Sequence, residues 1–128
     1  MFSFSKTSLE RRHGINKKLI EISDLALSIS VIDFGIPDHG GRRSNREQHQ
    51  LFKDGLSKCD GYDKKSNHQE GYAIDVYAYV DGKASWEEEH LAMVAAAMLQ
   101  AASQLGYKLE WGGLWKNFKD MPHFQLEL

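Results

Sequence analysis

The ten residues SNHQEGYAID, at positions 66–75, carry the pattern from which the fold can be predicted. His68 lies in a polar, turn-prone segment, and Asp75 follows seven residues later inside the apolar run AIDVYAYV at 73–80. That run is typical of a strand, and alternate side chains of a strand point to opposite faces. Ile74 and Val76 would then face a core, while Asp75 lies on the opposite, polar face. The pattern therefore predicts a strand-borne carboxylate close to a histidine in a loop.

Length and composition limit the classes of protein to which the chain can belong. Its 128 residues suffice for one compact domain, which we expect to span residues 1–128. The net charge of −2 indicates no surface for binding nucleic acid or an anionic membrane. No apolar run approaches the roughly 20 residues of a spanning helix, and the N-terminus lacks signal-peptide features. Because Cys59 is the single cysteine, no intramolecular disulfide is expected.

Helix and strand signals alternate along the chain. Ser44 and Ser85, each with a glutamate three residues later, form capping-box patterns that predict helix starts. The predicted helices are at 8–30, with a break at Gly14, at 45–54, and between 85 and 106. The predicted strands are at 31–36, 73–80, 107–111 and 123–128. These elements predict an α+β domain with a small antiparallel sheet and helices packed on one side.

A second strand brings another histidine toward Asp75. The apolar residues of HFQLEL, at 123–128, take the core side, which leaves His123 on the opposite face. If this strand and 73–80 share a sheet, Asp75 and His123 face each other, and His68 reaches them from its loop. One carboxylate and two imidazoles suit zinc, with a fourth position open for water. We therefore predict one zinc ion per chain, bound by His68, Asp75 and His123.

Two further residues fit the chemistry of such a site. Zinc lowers the pKa of water toward about 7, so a hydrolase then needs a base for the water's proton. It also needs a cation for the charge that develops on the substrate. Asp120, three residues before His123, suits the first role, with Pro122 restricting the chain between them. Arg43, at a predicted helix start, suits the second.

Each of these residues has a simpler explanation when it is considered alone. A single histidine at a loop or strand end is usually a hydrogen-bonded polar group, and an aspartate early in a strand is usually a cap. Cys59 has no base nearby in the sequence and is interpreted as a passive thiol. The remaining histidines show no partner pattern and are interpreted as surface or packing residues: His13, His39, His49 and His90. Only the combination favours a metal site.

Three motifs together cover about residues 31–128. SNHQEGYAID has the pattern Ser-x-His-x-x-Gly-x-Ala-x-Asp. WGGLWKNFKDMPHFQL, at 111–126, has a Gly-rich loop, an aromatic pair and Asp-x-x-His-Phe. GGRRSNREQHQLFKDGLSKCDG, at 40–61, has a Gly-x-Arg-Ser segment followed by Glu-Gln. These motifs resemble those of zinc D-alanyl-D-alanine carboxypeptidases and L-alanyl-D-glutamate endopeptidases, and especially phage endolysins of that group.

The resemblance implies a peptidoglycan hydrolase that cuts the stem peptide at the L-alanyl–D-glutamyl bond. It implies zinc ligands at His68, Asp75 and His123, with Asp120 as general base and acid. Arg43 would polarise the scissile carbonyl or hold a substrate carboxylate. Three further residues are implied as substrate contacts or as neighbours of the metal: Ser66, Trp111 and Trp115.

The resemblance to phage endolysins also carries expectations about the cell. We expect a monomer without a separate wall-binding domain, synthesised in the host cytoplasm and reaching the wall through a separate membrane pore. Two positions depart from the family pattern: Leu114 stands where many relatives have Asp, and Gln125 where Glu is often found.

Two alternatives to this function remain open. One is a D-alanyl-D-alanine carboxypeptidase or dipeptidase with the same chemistry. The other is a non-catalytic zinc-binding module similar to hedgehog-type signalling domains. Asp120 argues against the second alternative, because a structural zinc site needs no base beside its ligands.

Overall fold

The computed structural model describes residues 2–127, which form four α-helices and six short strands. The helices are α1 (Lys6–Arg11), α2 (Lys17–Ile29), α3 (Asn45–Lys53) and α4 (Glu88–Leu105). The strands are β1 (Asp33–Gly35), β2 (Ala73–Asp75), β3 (Tyr77–Val80), β4 (Lys83–Ser85), β5 (Leu109–Trp111) and β6 (His123–Leu126). The predicted α+β class and the break between the first two helices are confirmed.

The strands form two antiparallel sheets, and the prediction of one continuous strand at 73–80 is wrong. β2 pairs with β6, which also pairs with β5, whereas β3 lies between β1 and β4. Val76 separates the two strands, and its amide donates to the carbonyl of Pro122 at 3.0 Å. Ile74, Val76 and Ala78 are all fully buried, so every second side chain faces the core both before and after the chain passes from one sheet to the other. Alternation in the sequence therefore could not reveal that the run changes sheets.

One of the two predicted capping boxes forms. Oγ of Ser44 accepts from the amide of Glu47 at 3.0 Å, and Oε1 of Glu47 accepts from the amide of Ser44 at 3.2 Å. The second prediction is wrong, because α4 begins only at Glu88 and no side chain caps it. Ser85 belongs to β4, and its hydroxyl contacts Nδ1 of His90 at 2.7 Å. The strand pairing of β4 therefore prevents Ser85 from acting as the N-cap.

A shared core connects the helices to both sheets. α2 packs along α4, and α4 also contacts β3 and β5. Large apolar side chains with no solvent exposure come from α2, α4 and the β2–β6–β5 sheet: Leu19, Ile22, Ile74, Met98 and Phe124. Burying one such side chain stabilises the fold by about 1.5–3 kcal/mol, which holds the junction of the two sheets in place.

The predicted last strand ends at Leu126, and Leu128 lies outside the described residues. Among residues 2–127, no helix combines the length and the apolar character needed to cross a membrane.

Candidate metal centre

His68 comes from the turn at the beginning of residues 66–75. Ser66 closes this turn, since its hydroxyl accepts from the amide of His68 at 3.2 Å and its carbonyl accepts from the amide of Gln69 at 3.0 Å. Nδ1 of His68 donates to the carbonyl of Gly41 at 3.0 Å, which leaves Nε2 as the ring nitrogen available to a cation. The other ring nitrogen, Nε2, lies 3.3 Å from Oδ1 of Asp75. The fold thus presents one defined nitrogen of a buried histidine to Asp75.

Asp75 and His123 face each other across the antiparallel pair β2–β6. Nδ1 of His123 lies 3.2 Å from Oδ1 of Asp75, and the centroids of the His68 and His123 rings are 5.1 Å apart. Nε2 of His123 donates to the side-chain oxygen of Gln125 at 2.9 Å. One donor atom from each of His68, Asp75 and His123 lies within 4.8 Å of the other two. The strand pairing therefore brings the three predicted ligands together.

The chemistry of this donor set fits a zinc ion. Both imidazoles donate one N–H outside the cluster, His68 to a backbone carbonyl and His123 to Gln125, and turn the other nitrogen toward Asp75. Two imidazole nitrogens and one carboxylate oxygen form a common zinc set that leaves the fourth position open. Outer hydrogen bonds of this kind hold metal-binding histidines in one orientation.

The charges in the cluster support each other. Burial by itself would raise the pKa of Asp75, but the charges and hydrogen bonds of His68 and His123 outweigh burial and hold this pKa well below its usual range. Burial by itself would lower the pKa of His123, but the hydrogen bond and charge of Asp75 raise it. Asp75 is therefore ionised at neutral pH and supplies the negative charge that a divalent cation requires.

The guanidinium of Arg43 contacts the second oxygen of Asp75. Nη2 of Arg43 donates to Oδ2 of Asp75 at 3.2 Å, Nη1 donates to Oε1 of Gln48 at 3.0 Å, and Nε donates to the carbonyl of His39 at 2.8 Å. Its side chain is only 12% exposed. Burial lowers the pKa of Arg43, and the charge of Asp75 opposes this change. Arg43 thus fixes the orientation of the carboxylate, so that Oδ1 faces the two histidines.

Asp120 lies beside the cluster with its carboxylate half-exposed. Oδ2 of Asp120 is 4.0 Å from Nδ1 of His123, and 48% of its side chain is open to solvent. The amide of Asp120 donates to the carbonyl of Gly112 at 3.0 Å, and the carbonyl of Asp120 accepts from the amide of His123 at 3.2 Å. Burial and the charge of Asp75 raise the pKa of Asp120. A carboxylate with a raised pKa in this position is suited to accept and return a proton.

The cluster forms part of the wall of a cavity of about 640 Å³. Ser66 and Trp115 also line this cavity, and the ring of Trp115 lies 5.3 Å from that of His123. Trp111 is not among the lining residues, because its ring stacks on Phe124 at 6.4 Å and belongs to the core. Four exposed lysines complete the wall and give it a positive rim: Lys58, Lys64, Lys65 and Lys119.

Two polar residues behind His123 were not predicted as part of the site. From the sequence, Gln125 is noted only as a departure from the family pattern, and Glu110 has no predicted role. Nε2 of Gln125 donates to Oε2 of Glu110 at 3.3 Å, across the pair β5–β6. They lie opposite each other in the observed register of β5 and β6, which the sequence alone does not determine.

The chain resembles known proteins along nearly all of its length. Residues 1–125 match the sequence model of a family described as phage L-alanyl-D-glutamate peptidase. The L-alanyl-D-glutamate peptidase of Escherichia phage T5 is 33% identical over 115 residues, which cover 89% of this chain and 82% of the relative. The peptidoglycan L-alanyl-D-glutamate endopeptidase CwlK of Bacillus subtilis is 33% identical over 125 residues, covering 89% of this chain and 72% of the relative. The crystal structure of the Serratia marcescens L-Ala D-Glu endopeptidase ChiX matches with a TM-score of 0.85 at 36% identity, covering 98% of this chain and 90% of that chain.

Proposed function

The chain belongs to the phage L-alanyl-D-glutamate peptidase family, and from that premise we propose how its residues work. It is a peptidoglycan endopeptidase. In this proposal it hydrolyses the L-alanyl–D-glutamyl bond of the stem peptide with one zinc ion bound by His68, Asp75 and His123. The observation that carries the proposal is the convergence of three donor atoms within 4.8 Å, beside Asp120, in the wall of one cavity.

The catalytic steps are assigned to residues that surround the donor atoms. When bound, zinc supplies Lewis-acid chemistry that makes water nucleophilic at neutral pH and polarises the scissile carbonyl. His68 presents Nε2 and His123 presents Nδ1, while Asp75 keeps its negative charge between them. Asp120 takes a proton from the attacking water at a carboxylate oxygen and then gives it to the leaving amine of D-glutamate. Its half-exposed position and raised pKa support this double role.

The remaining residues orient the substrate and the ligands. Arg43 holds Oδ2 of Asp75, and its charge stabilises the negative charge that develops on the substrate carbonyl or holds a substrate carboxylate. Ser66 keeps the His68 turn closed, and Trp115 shields one side of His123 from water. The lysine rim of the cavity favours a substrate that carries carboxylates, as a glutamyl peptide does.

Digestion of purified peptidoglycan by the zinc-loaded protein, followed by mass spectrometry of the fragments, tests the proposed bond. New D-glutamyl amino termini are expected. Release of terminal D-alanine would instead assign a carboxypeptidase, and the absence of cleavage would contradict both activities.

His123→Ala should lose bound zinc and activity together. The control His90→Ala should keep both, because the polar contacts of His90 within residues 2–127 are to Ser85 and Glu87, and none of the three lines the cavity.

The proposal extends to the site of action. The enzyme, a monomer whose residues 1–128 act as one catalytic domain, is synthesised in the host cytoplasm and reaches the wall through a separate membrane pore. The match to a phage peptidase family and to a phage T5 relative supports action on the wall of a host cell. Expression in Gram-negative cells should cause lysis only when a pore-forming protein is co-expressed. Lysis without the pore would contradict the proposed route, and light scattering during gel filtration would test the monomer.

A further inference from the structure

Glu110 lies behind His123 and does not touch the three ligand atoms. It faces Gln125 across the antiparallel pair β5–β6, and its Oε2 accepts from Nε2 of Gln125 at 3.3 Å. Its other oxygen, Oε1, accepts from Nε1 of Trp115 at 2.6 Å. Oε1 of Gln125 accepts from Nε2 of His123 at 2.9 Å and from Nδ2 of Asn67 at 2.9 Å. Both oxygens of Glu110 are thus used by groups that surround His123.

The carboxylate of Glu110 dictates which way the Gln125 amide points. Trp115 and Gln125 both donate to the oxygens of Glu110, so the NH₂ group of Gln125 faces Glu110. Oε1 of Gln125 must then face His123, where it can only accept. Nε2 of His123 must therefore carry a proton, and Nδ1 becomes the nitrogen that can bind a cation beside Asp75. The direction of one amide selects the tautomer of the histidine.

Glu110 also fixes the aromatic side of the same histidine. The ring of Trp115 lies 5.3 Å from the ring of His123, and its indole N–H is directed at Glu110. The carboxylate of Glu110 consequently holds two neighbours of His123 in place: Gln125, which accepts its Nε2–H, and Trp115, whose ring lies against the imidazole.

We propose that Glu110 is a positioning residue that sets the tautomer and the orientation of His123 through Gln125 and Trp115. The inference rests on the proposed metal centre and deepens it, because it assigns a role to a residue two hydrogen bonds from the ligand atoms. It also explains why glutamine can replace the glutamate that is often found at this position: the NH₂ group of Gln125 donates to the carboxylate of Glu110. Outer-shell partners of metal-binding histidines typically change metal affinity by about 10- to 100-fold when they are removed.

The first test removes the acceptor of His123. Gln125→Leu should weaken zinc affinity of the full chain about 10- to 100-fold in competition with a chromogenic chelator. Gln50→Leu is the matched control, because Gln50 also donates to a carboxylate, Oδ1 of Asp54 at 2.9 Å, but on an exposed face of α3. The control should bind zinc as the wild type does. Equal affinities for the two variants would overturn the proposal.

The second test exchanges the pair. Glu110→Gln offers one acceptor oxygen where Gln125 and Trp115 require two, so zinc affinity should fall about tenfold. Adding Gln125→Glu gives every donor an acceptor again. The carboxylate at 125 accepts from His123 and from the amide at 110, and the oxygen of that amide accepts from Trp115. The double variant should recover to within about threefold of the wild type. A double variant no better than Glu110→Gln alone would refute the relay.

The ¹⁵N chemical shifts of His123 in the zinc-loaded protein separate positioning from general stabilisation. The wild type and the double variant should show a ring with its proton on Nε2 and none on Nδ1, and Glu110→Gln should show a mixture of the two tautomers. A lower melting temperature with an unchanged tautomer would reduce Glu110 to a structural residue and overturn the inference. A wild type without zinc affinity would instead refute the proposed metal centre, so the two failures are distinguishable.

Discussion

Asp120→Asn tests the proposed proton transfer with the smallest change in shape. The two hydrogen bonds that hold residue 120 to Gly112 and His123 involve only its backbone, so they are retained in the variant. What is lost is a carboxylate 4.0 Å from Nδ1 of His123 that can accept a proton. General-base catalysis contributes about 10²- to 10⁴-fold, so kcat should fall by that factor, equivalent to about 2.7–5.4 kcal/mol of transition-state stabilisation.

The assay follows release of D-glutamyl amino termini from soluble muropeptides at saturating zinc, with bound zinc measured by emission spectrometry. Zinc content should stay near one per chain, because Asp120 lies outside the donor cluster. Asp81→Asn is the control, since Asp81 lies in the β3–β4 turn with φ of 53°, a conformation that asparagine also adopts. A kcat for Asp120→Asn within about tenfold of the wild type would refute the assigned role. Joint loss of zinc and activity would make Asp120 a ligand.

Four further outcomes are expected. Gly112→Ala should lower kcat without loss of bound zinc, because a Cβ there collides with the carbonyl of Asp120; unchanged kcat would contradict this close approach. Arg43→Lys should lower kcat about 10²-fold in the muropeptide assay, because one ammonium cannot replace three guanidinium contacts; a wild-type rate would count against Arg43. Chelation of zinc held at about 100 times its Kd should lower the free energy of unfolding by about 2.7 kcal/mol, measured by calorimetry and reversed by added zinc. Ser44→Ala should cost about 1 kcal/mol in chemical denaturation through loss of the capping box, and unchanged stability would show that the box contributes nothing.

The sequence predicts the ligand geometry because the rules it uses are local. Alternation along a strand places Asp75 opposite Ile74 and Val76, whichever sheet the strand joins. The hydroxyl of Ser44 and the carboxylate of Glu47 meet within one helical turn, so spacing alone predicts their contact. Features of this kind depend on neighbours a few residues away, and the structure reproduces them.

The missed features depend on partners far away in the chain. The change of sheet at Val76 is decided by pairing with Pro122 and β6, which no local pattern encodes. Ser85 has the spacing of an N-cap, but its backbone pairs with Ala78 of β3 and its hydroxyl contacts His90. Glu110 and Gln125 are 15 residues apart and meet only when β5 pairs with β6. Register between strands, more than propensity, limits what this sequence reveals.

The position of Asp75 at the last residue of β2 has a consequence for folding. Its partner His123 is 48 residues away along the chain, and the segment between them contains β3, β4, α4 and β5. The donor set therefore cannot assemble until the intervening chain has turned back far enough for β6 to pair with β2. An ion bound there would join β2 and β6 only after these two strands have paired within their sheet, and its release would accompany their separation. Metal occupancy would then report the pairing of β2 with β6, and chains in which this pair has not formed would have no hydrolytic activity.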